Sequence, residues 1–179
     1  MKNKSKIEVQ MRRNNIFITG PPRSGKSTLV GEIIKELGLE AEGLRTPDIR
    51  EDGQRKGFKL VDIKSGEEGI LAHVNVKKGP KVSRYRVDMD DLERFTKKSL
   101  DNISEDCDIV VIDEIGTMEL YSDYFVEMVE ELLDSEKLVL AVLHRNQVGK
   151  YGHKGELFDL EKEDYESTKE RIKEILRDF

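Results

Sequence analysis

The run Gly20-Pro21-Pro22-Arg23-Ser24-Gly25-Lys26-Ser27 constrains the fold of this chain more than any other stretch. It follows G-x-x-x-x-G-K-[ST], and its flanks are those that the pattern requires of a phosphate-binding loop. Before it, Asn15-Ile16-Phe17-Ile18-Thr19 is a short apolar run suited to a buried strand. After it, Leu29, Val30, Ile33, Ile34 and Leu37 share one helical stripe, and Gly38 supplies a stop. Strand, glycine loop and helix gather backbone N–H groups and the positive end of a helix dipole around one concavity. There Lys26 is placed to reach β- and γ-phosphates and the Ser27 hydroxyl to hold Mg2+. The expected nucleotide-binding set is Gly20, Pro21, Pro22, Arg23, Ser24, Gly25, Lys26, Ser27 and Thr28.

The rest of the pattern builds a sheet around that loop. Glu42 to Thr46 starts a second strand, which Pro47 keeps from turning helical. Short β-like runs follow, punctuated by Asp52-Gly53 and Ser65-Gly66, and read as antiparallel hairpins inserted at about 47–76. Gly79-Pro80 opens a further loop. Asp88 to Asp91 then leads into a helix with Leu92, Phe95, Ser99 and Ile103 on one face. Ile109-Val110-Val111-Ile112 and Leu138 to Leu143 are continuous apolar runs, as expected of strands covered on both faces. Between them Phe125, Met128, Val129, Leu132 and Leu133 keep helical spacing; a short strand from Glu156 to Leu160 and a last helix through Ile172 and Leu176 follow. The prediction is an α/β fold: three layers, a mostly parallel sheet flanked by helices, with inserted hairpins. One domain is expected over 15–179, behind a flexible tail over 1–14.

In open α/β sheets ligands bind beyond the carboxyl ends of the strands. Gly20, Asp113 and His144 all fall at such ends. Four apolar residues followed by Asp is the Walker B pattern, so Asp113 is expected to join Ser27 in the metal shell. Glu114, next to it, is the candidate to direct an attacking water; the competing reading is a second metal-shell carboxylate or a helix N-terminal charge. With Lys26 it forms the expected catalytic pair. Arg145 is a candidate for contacting the γ-phosphate or, equally, a solvated ion-pair partner. Lys150, His153 and Lys154 make the 146–155 loop basic, so it reads either as a lid over the phosphates or as an ordinary solvated loop.

Composition narrows the partners. Asp and Glu number 37 against 31 Lys and Arg, a net charge of −6, which implies no general attraction to nucleic acid or anionic membranes. The single cysteine, Cys107, allows no internal disulfide and suits a reducing cytosol. No apolar run approaches the ~20 residues of a membrane span, and Met1 to Arg13 lacks the apolar core of a secretory signal. The expectation is a cytoplasmic monomer that binds nucleoside triphosphates with Mg2+ as cofactor. No Asn-Lys-x-Asp element is present to read guanine.

Val111-Ile112-Asp113-Glu114-Ile115-Gly116-Thr117-Met118-Glu119-Leu120 resembles the signature of the small nucleoside-triphosphatases of archaeal and bacterial thermophiles, known in animals as the cancer-related NTPase. Arg50 to Phe58, Val61-Asp62, Ser65 to Ala72, Ala141 to Arg145 and Leu157 to Leu160 agree, in family order, over nearly the whole domain. The resemblance implies a RecA-like core and slow Mg2+-dependent hydrolysis of ATP, GTP, CTP and UTP to the diphosphate and phosphate. It carries phosphate binding onto Gly20 to Thr28, the metal shell onto Ser27 and Asp113, and the catalytic glutamate onto Glu114. Arg23 stands where the family has a glycine, a departure that bears on rate. Arg45, Arg50 and Arg55 stay outside the catalytic set. A kinase with a small acceptor and a nucleotide-dependent regulatory switch are the alternative readings.

Overall fold

The computed structural model describes residues 14–179. In chain order its elements are β1 (Asn15–Thr19), α1 (Lys26–Leu37), β2 (Ala41–Arg45), β3 (Asp48–Glu51), β4 (Gln54–Asp62), β5 (Glu68–His73), β6 (Lys81–Val82), β7 (Tyr85–Val87), α2 (Met89–Ser99), β8 (Ile109–Ile115), α3 (Asp123–Asp134), β9 (Val139–Leu143), α4 (Val148–Tyr151), β10 (Glu156–Asp159) and α5 (Tyr165–Arg177). Three short 3-10 turns lie at Glu119–Tyr121, Arg145–Gln147 and Gly152–Lys154. The expected tail lies, apart from Asn14, outside the described residues.

Strand order in the sheet is β10-β1-β9-β8-β2-β4-β5-β7-β6, with β3 paired to β4. From β10 to β2 every pairing is parallel; from β2 outward through β4, β5, β7 and β6 every pairing is antiparallel. The sheet is open, and helices cover both faces of its parallel half. Ile16, Ile18, Ile109, Val111, Leu140 and Val142 pack with Leu29 and Ile33 of α1 and Ile172 and Leu176 of α5. Their alternates Phe17, Val110, Ile112, Val139, Ala141 and Leu143 pack on the other face with α2 and α3. This period-two division explains why the parallel strands read as unbroken apolar runs: each residue meets a helix on one face or the other. Each such Ile or Leu, taken wholly out of water, contributes roughly 1.5–3 kcal/mol before entropy is charged against it.

The helix starts follow local chemistry. Side chains of Asp88, Ser122 and Asp164 accept from the backbone N–H of Asp91, Phe125 and Ser167, capping α2, α3 and α5. The structure departs from expectation at three places. The α2 helix stops at Ser99, so Ile103 is not on it: Asn102 donates from Nδ2 to the Lys97 carbonyl at 2.7 Å, satisfying a C-terminal helix carbonyl, and Ile103 packs on the core from the loop beyond. Antiparallel pairing runs past residue 76 to Val87, because Lys81-Val82 and Tyr85-Val87 form a hairpin after Gly79-Pro80. The 146–155 stretch is not an irregular loop. It folds into tight helical turns around Tyr151, whose side chain is buried with Phe17 and Val139. Lys150 and Lys154 turn toward α3, pairing with Glu130 at 3.7 Å and Asp134 at 2.7 Å.

Gly43 of β2 faces Val111 of β8 with no room for a side chain. Its φ is +130°, and a Cβ there would sit 2.0 Å from the Val111 carbonyl oxygen, a backbone atom that cannot swing away. Gly43→Ala is therefore expected to cost at least ~1–3 kcal/mol, the scale of one strained backbone position. A lowered urea midpoint with an unchanged slope is the expected readout; an unshifted midpoint would show that β2 can move off β8 freely.

Candidate active site

The carboxyl ends of β1, β9, β8 and β2 open into one cleft of about 650 Å³, a size usual for small-molecule sites. Of the residues expected at phosphate, Gly20, Pro22, Arg23, Gly25, Lys26, Ser27 and Thr28 line it. Pro21 and Ser24 support the loop from behind. The Pro21 carbonyl accepts from Ser24 N–H at 3.3 Å and from Lys26 Nζ at 2.9 Å. Lys26 Nζ also donates to the Gly20 carbonyl at 3.0 Å, so its ammonium is held over the loop. The Ser24 hydroxyl is buried behind the loop without a hydrogen-bond partner among the described residues. Arg23 has φ +64°, so this side chain stands in the left-handed region that glycine occupies at least cost.

Facing the loop, β8 brings in the acidic groups. Ser27 donates from Oγ to Asp113 Oδ1 at 3.0 Å, across 86 positions of sequence. Burial raises the Asp113 carboxyl pKa, against the Ser27 hydrogen bond and the charges of Arg45 and Lys26. Burial likewise raises Glu114, with the Asp113 charge next in effect, while Lys26 opposes it. Lys26 itself is lowered by burial, against the pull of Glu114 and Asp113. Among the described residues no three His, Cys, Asp or Glu side chains converge as a metal cage. A hydroxyl and one carboxylate oxygen in contact do fit Mg2+, which takes few protein oxygens and completes its shell with water and phosphate.

His144 and Arg145 stand on the same wall. His144 accepts the Asn146 N–H at Nδ1, 3.3 Å away, and burial, then Lys26 and Arg145, hold its pKa below the ordinary value. Arg145 lines the cleft while its guanidinium pairs with Glu161 at 3.5 Å, an exposed pair. Cys107 lies outside the cleft; it donates to the Ile109 carbonyl at 3.1 Å, and burial pushes its thiol pKa up, away from nucleophile character.

With this geometry in view, a family model described as NTPase matches residues 15–173. The chain belongs to the NTPase family. It is 43% identical over 160 residues to the protein named nucleoside-triphosphatase THEP1 of Methanocaldococcus jannaschii, covering 88% of this chain and 94% of that one. To the protein of the same name in Methanosarcina acetivorans it is 47% identical over 135 residues, 73% of this chain and 76% of that one. Among solved structures, the crystal structure of THEP1 from Aquifex aeolicus superposes with TM-score 0.78 at 27% identity, covering 90% of this chain and 98% of that one. The solution structure of the human cancer-related nucleoside triphosphatase gives 0.75 at 27% identity, with 92% and 97% covered. As a member of this NTPase family the chain is an enzyme of the hydrolase class. Among the described residues no helix is long and apolar enough to cross a membrane.

Two residues of this NTPase's cleft carry roles that sequence reasoning did not assign. Thr46, at the end of β2, accepts Glu114 N–H at its hydroxyl, 3.1 Å away, and donates from Oγ1 to the Asp113 carbonyl at 3.0 Å. Its backbone N–H reaches the same carbonyl at 2.6 Å. Thr46 thus clamps the Asp113–Glu114 step. The second is Glu119, wholly buried, whose Oε1 lies 3.3 Å from Thr46 Oγ1. Burial, then the nearby Glu114 charge, pushes its pKa up to about 8. A hydroxyl has one proton; once that goes to the Asp113 carbonyl, its remaining lone pair suits a protonated Glu119. Gly116 leaves room for the two carboxyls, since a Cβ there would lie 3.0 Å from Glu114 Oε1 and 3.1 Å from Glu119 Oε2. The sequence held one available signal, a glutamate five residues past another in an otherwise apolar block.

The raised Glu119 pKa has a stability consequence. Between the ordinary value of 4.5 and about 8 the folded chain holds a proton that the unfolded chain has lost. Stability therefore falls as pH rises through that window. Glu119→Gln is expected to flatten the fall in urea midpoint between pH 5 and 8; a profile parallel to wild type would show that Glu119 is ionised in the fold.

Proposed function

We propose that this enzyme hydrolyses nucleoside triphosphates of several bases to the diphosphate and phosphate, with Mg2+ as cofactor. The observation carrying the reading is the 3.0 Å contact between Ser27 and Asp113, which joins the phosphate loop to the strand bearing Glu114. Lys26 exchanges the Gly20 and Pro21 carbonyls for β- and γ-phosphate oxygens, and the loop N–H groups complete the cradle. Ser27 and Asp113 hold the metal, which supplies charge neutralisation across the phosphates when bound. Glu114 orients a water in line with the γ-phosphorus. As the water oxygen bonds to phosphorus, the bond to the bridging oxygen breaks; the water's proton passes to Glu114 and the charge leaving with the diphosphate is met by Lys26.

The upward pull of burial on Glu114 suits this role, because a base with a raised pKa accepts a proton more readily near neutrality. Arg145 is close enough to the cleft to meet the phosphates, and its exposed pair with Glu161 is worth about 1 kcal/mol or less, too little to hold it away. Breadth toward the base is supported by the family resemblance and by the lack of a guanine-reading Asn-Lys-x-Asp element.

Phosphate release from ATP, GTP, CTP and UTP with Mg2+ and no added acceptor tests the reading. Release from all four is expected. Glu114→Gln is expected to lose about 10²–10⁴-fold in turnover while still binding nucleotide; near-normal turnover would remove Glu114 from the mechanism. Lys26→Ala is expected to weaken binding itself, and an unchanged affinity would overturn the phosphate-loop assignment.

A further inference from the structure

The cleft is longer than a phosphate loop and its catalytic carboxylate require. Beyond Glu114 its wall continues with Arg45, Asp48, Arg50, Arg55, Phe58 and Val82, drawn from β2 and the antiparallel insert. Sheet order places that wall on the far side of β8 from the loop. β1, which feeds the loop, is separated from β8 by β9, and β8 is separated from β4 by β2. At ~4.8 Å per strand spacing, β4 lies about 10 Å across the sheet from β8 and about 20 Å from β1. A triphosphate bound at the loop turns its γ-phosphate toward Glu114, and its nucleoside leaves from the α-phosphate at the other end of the chain. What lies beyond Glu114 therefore faces the γ-phosphate, not the base or sugar.

The wall has a defined chemistry. Asp48 accepts from Arg50 Nη2 at 3.0 Å and from Arg55 Nε at 2.9 Å, so one carboxylate aligns two guanidiniums. Arg50 also donates to the Gly53 carbonyl at 3.3 Å. These bonds occupy a minority of the N–H donors that two guanidiniums carry. With Arg45 the wall holds three cations against one carboxylate. The Arg55 guanidinium lies 5.3 Å over the Phe58 ring, and Tyr85 meets that ring edge-on at 5.4 Å between centroids. Leu71 and Met118 add apolar surface. Paired arginines recognise phosphate oxygens in a fork geometry, and an aromatic ring beside them stacks a planar group.

We infer that the insert forms a second ligand subsite, which binds a ring-bearing phosphomonoester such as a nucleoside monophosphate next to the γ-phosphate position. The inference rests on the proposed function only in taking the triphosphate to occupy the loop. Its phosphate lies against Arg50 and Arg55, and its ring against Phe58. Asp48 opposes the anion but keeps the two guanidiniums from collapsing onto solvent, so it acts as a positioning residue.

The test uses the full chain loaded to saturation with Mg2+ and an ATP analogue carrying an imido β–γ bridge, which blocks the loop against monophosphates. Calorimetric titration then follows with adenosine monophosphate, phenyl phosphate and inorganic phosphate. The two ring-bearing esters are expected to bind the loaded protein, and more tightly than inorganic phosphate. The pair Arg50→Ala and Arg55→Ala is expected to weaken their binding about ten- to a hundredfold, the worth of a charge-assisted hydrogen bond, and leave the analogue's affinity within about twofold. The retained analogue affinity shows that the variant is folded, and Arg50→Ala alone serves as the milder second variant. No monophosphate binding to the loaded protein, or binding indifferent to both arginines, overturns the subsite. Equal binding of all three anions overturns the ring contact. An analogue affinity lost with the arginines overturns the subsite in favour of direct γ-phosphate contact, and failure of the wild type to bind the analogue counts against the phosphate-loop reading instead.

Discussion

The parallel register of β1, β9 and β8 is the constraint on which the rest depends. Phe17 pairs with Ala141, and Ala141 with Ile112, so the carboxyl ends of the three strands stand level. Because both faces of these strands are covered by helices, slipping any one of them by a residue would turn its apolar alternates from one core into the other and unpack both. That levelling brings the Ser27 hydroxyl to Asp113 and leaves Glu114 and His144 on the same rim. The register shift between Asp113 and Ile115 lies immediately past this point, where β8 turns from structure to chemistry.

The cleft concentrates opposite charges away from water. Asp113, Glu114 and Glu119 are all raised by burial, and Lys26 is lowered by it, so each group is pressed toward its neutral form. Such an arrangement is costly to hold in an isolated fold. Thr46 links the acidic members, and it sits at the end of β2, the strand at which the sheet changes from parallel to antiparallel. The acidic end of β8 and the insert are therefore joined through β2, which pairs with β8 on one side and β4 on the other.

The insert also explains why the cleft is more than a nucleotide slot. Its strands continue the same sheet, so the arginine-bearing hairpin is carried on a paired backbone and not on a free loop. By contrast, the basic stretch after β9 is packed down by Tyr151 and turned to α3 by its lysines. The cations that line the cleft are therefore Lys26 and Arg145 at the loop side and Arg45, Arg50 and Arg55 at the insert side.

Short-range pattern determined much of this protein. The loop from Gly20 to Ser27, the strand before it and the amphipathic helix after it are adjacent in sequence, so their arrangement is local and legible. The apolar runs at 109–112 and 139–143 were legible for a similar reason: double burial removes the polar alternation that a solvent-facing strand shows. The Asp113–Glu114 pair could be read because it ends such a run. Glu119, Thr46 and the arginines of the insert could not be given roles in this way. Burial raises the Glu119 pKa, a property of the packed fold and not of its neighbours in sequence. Thr46 meets Asp113 only because β2 pairs with β8, 67 positions away. The lysines at 150 and 154 look like a phosphate lid in one dimension, and only the burial of Tyr151 decides that they face α3. Local sequence determined the strand, loop and helix that make a phosphate site; long-range packing decided which charges are desolvated beside it and which arginines share its cleft.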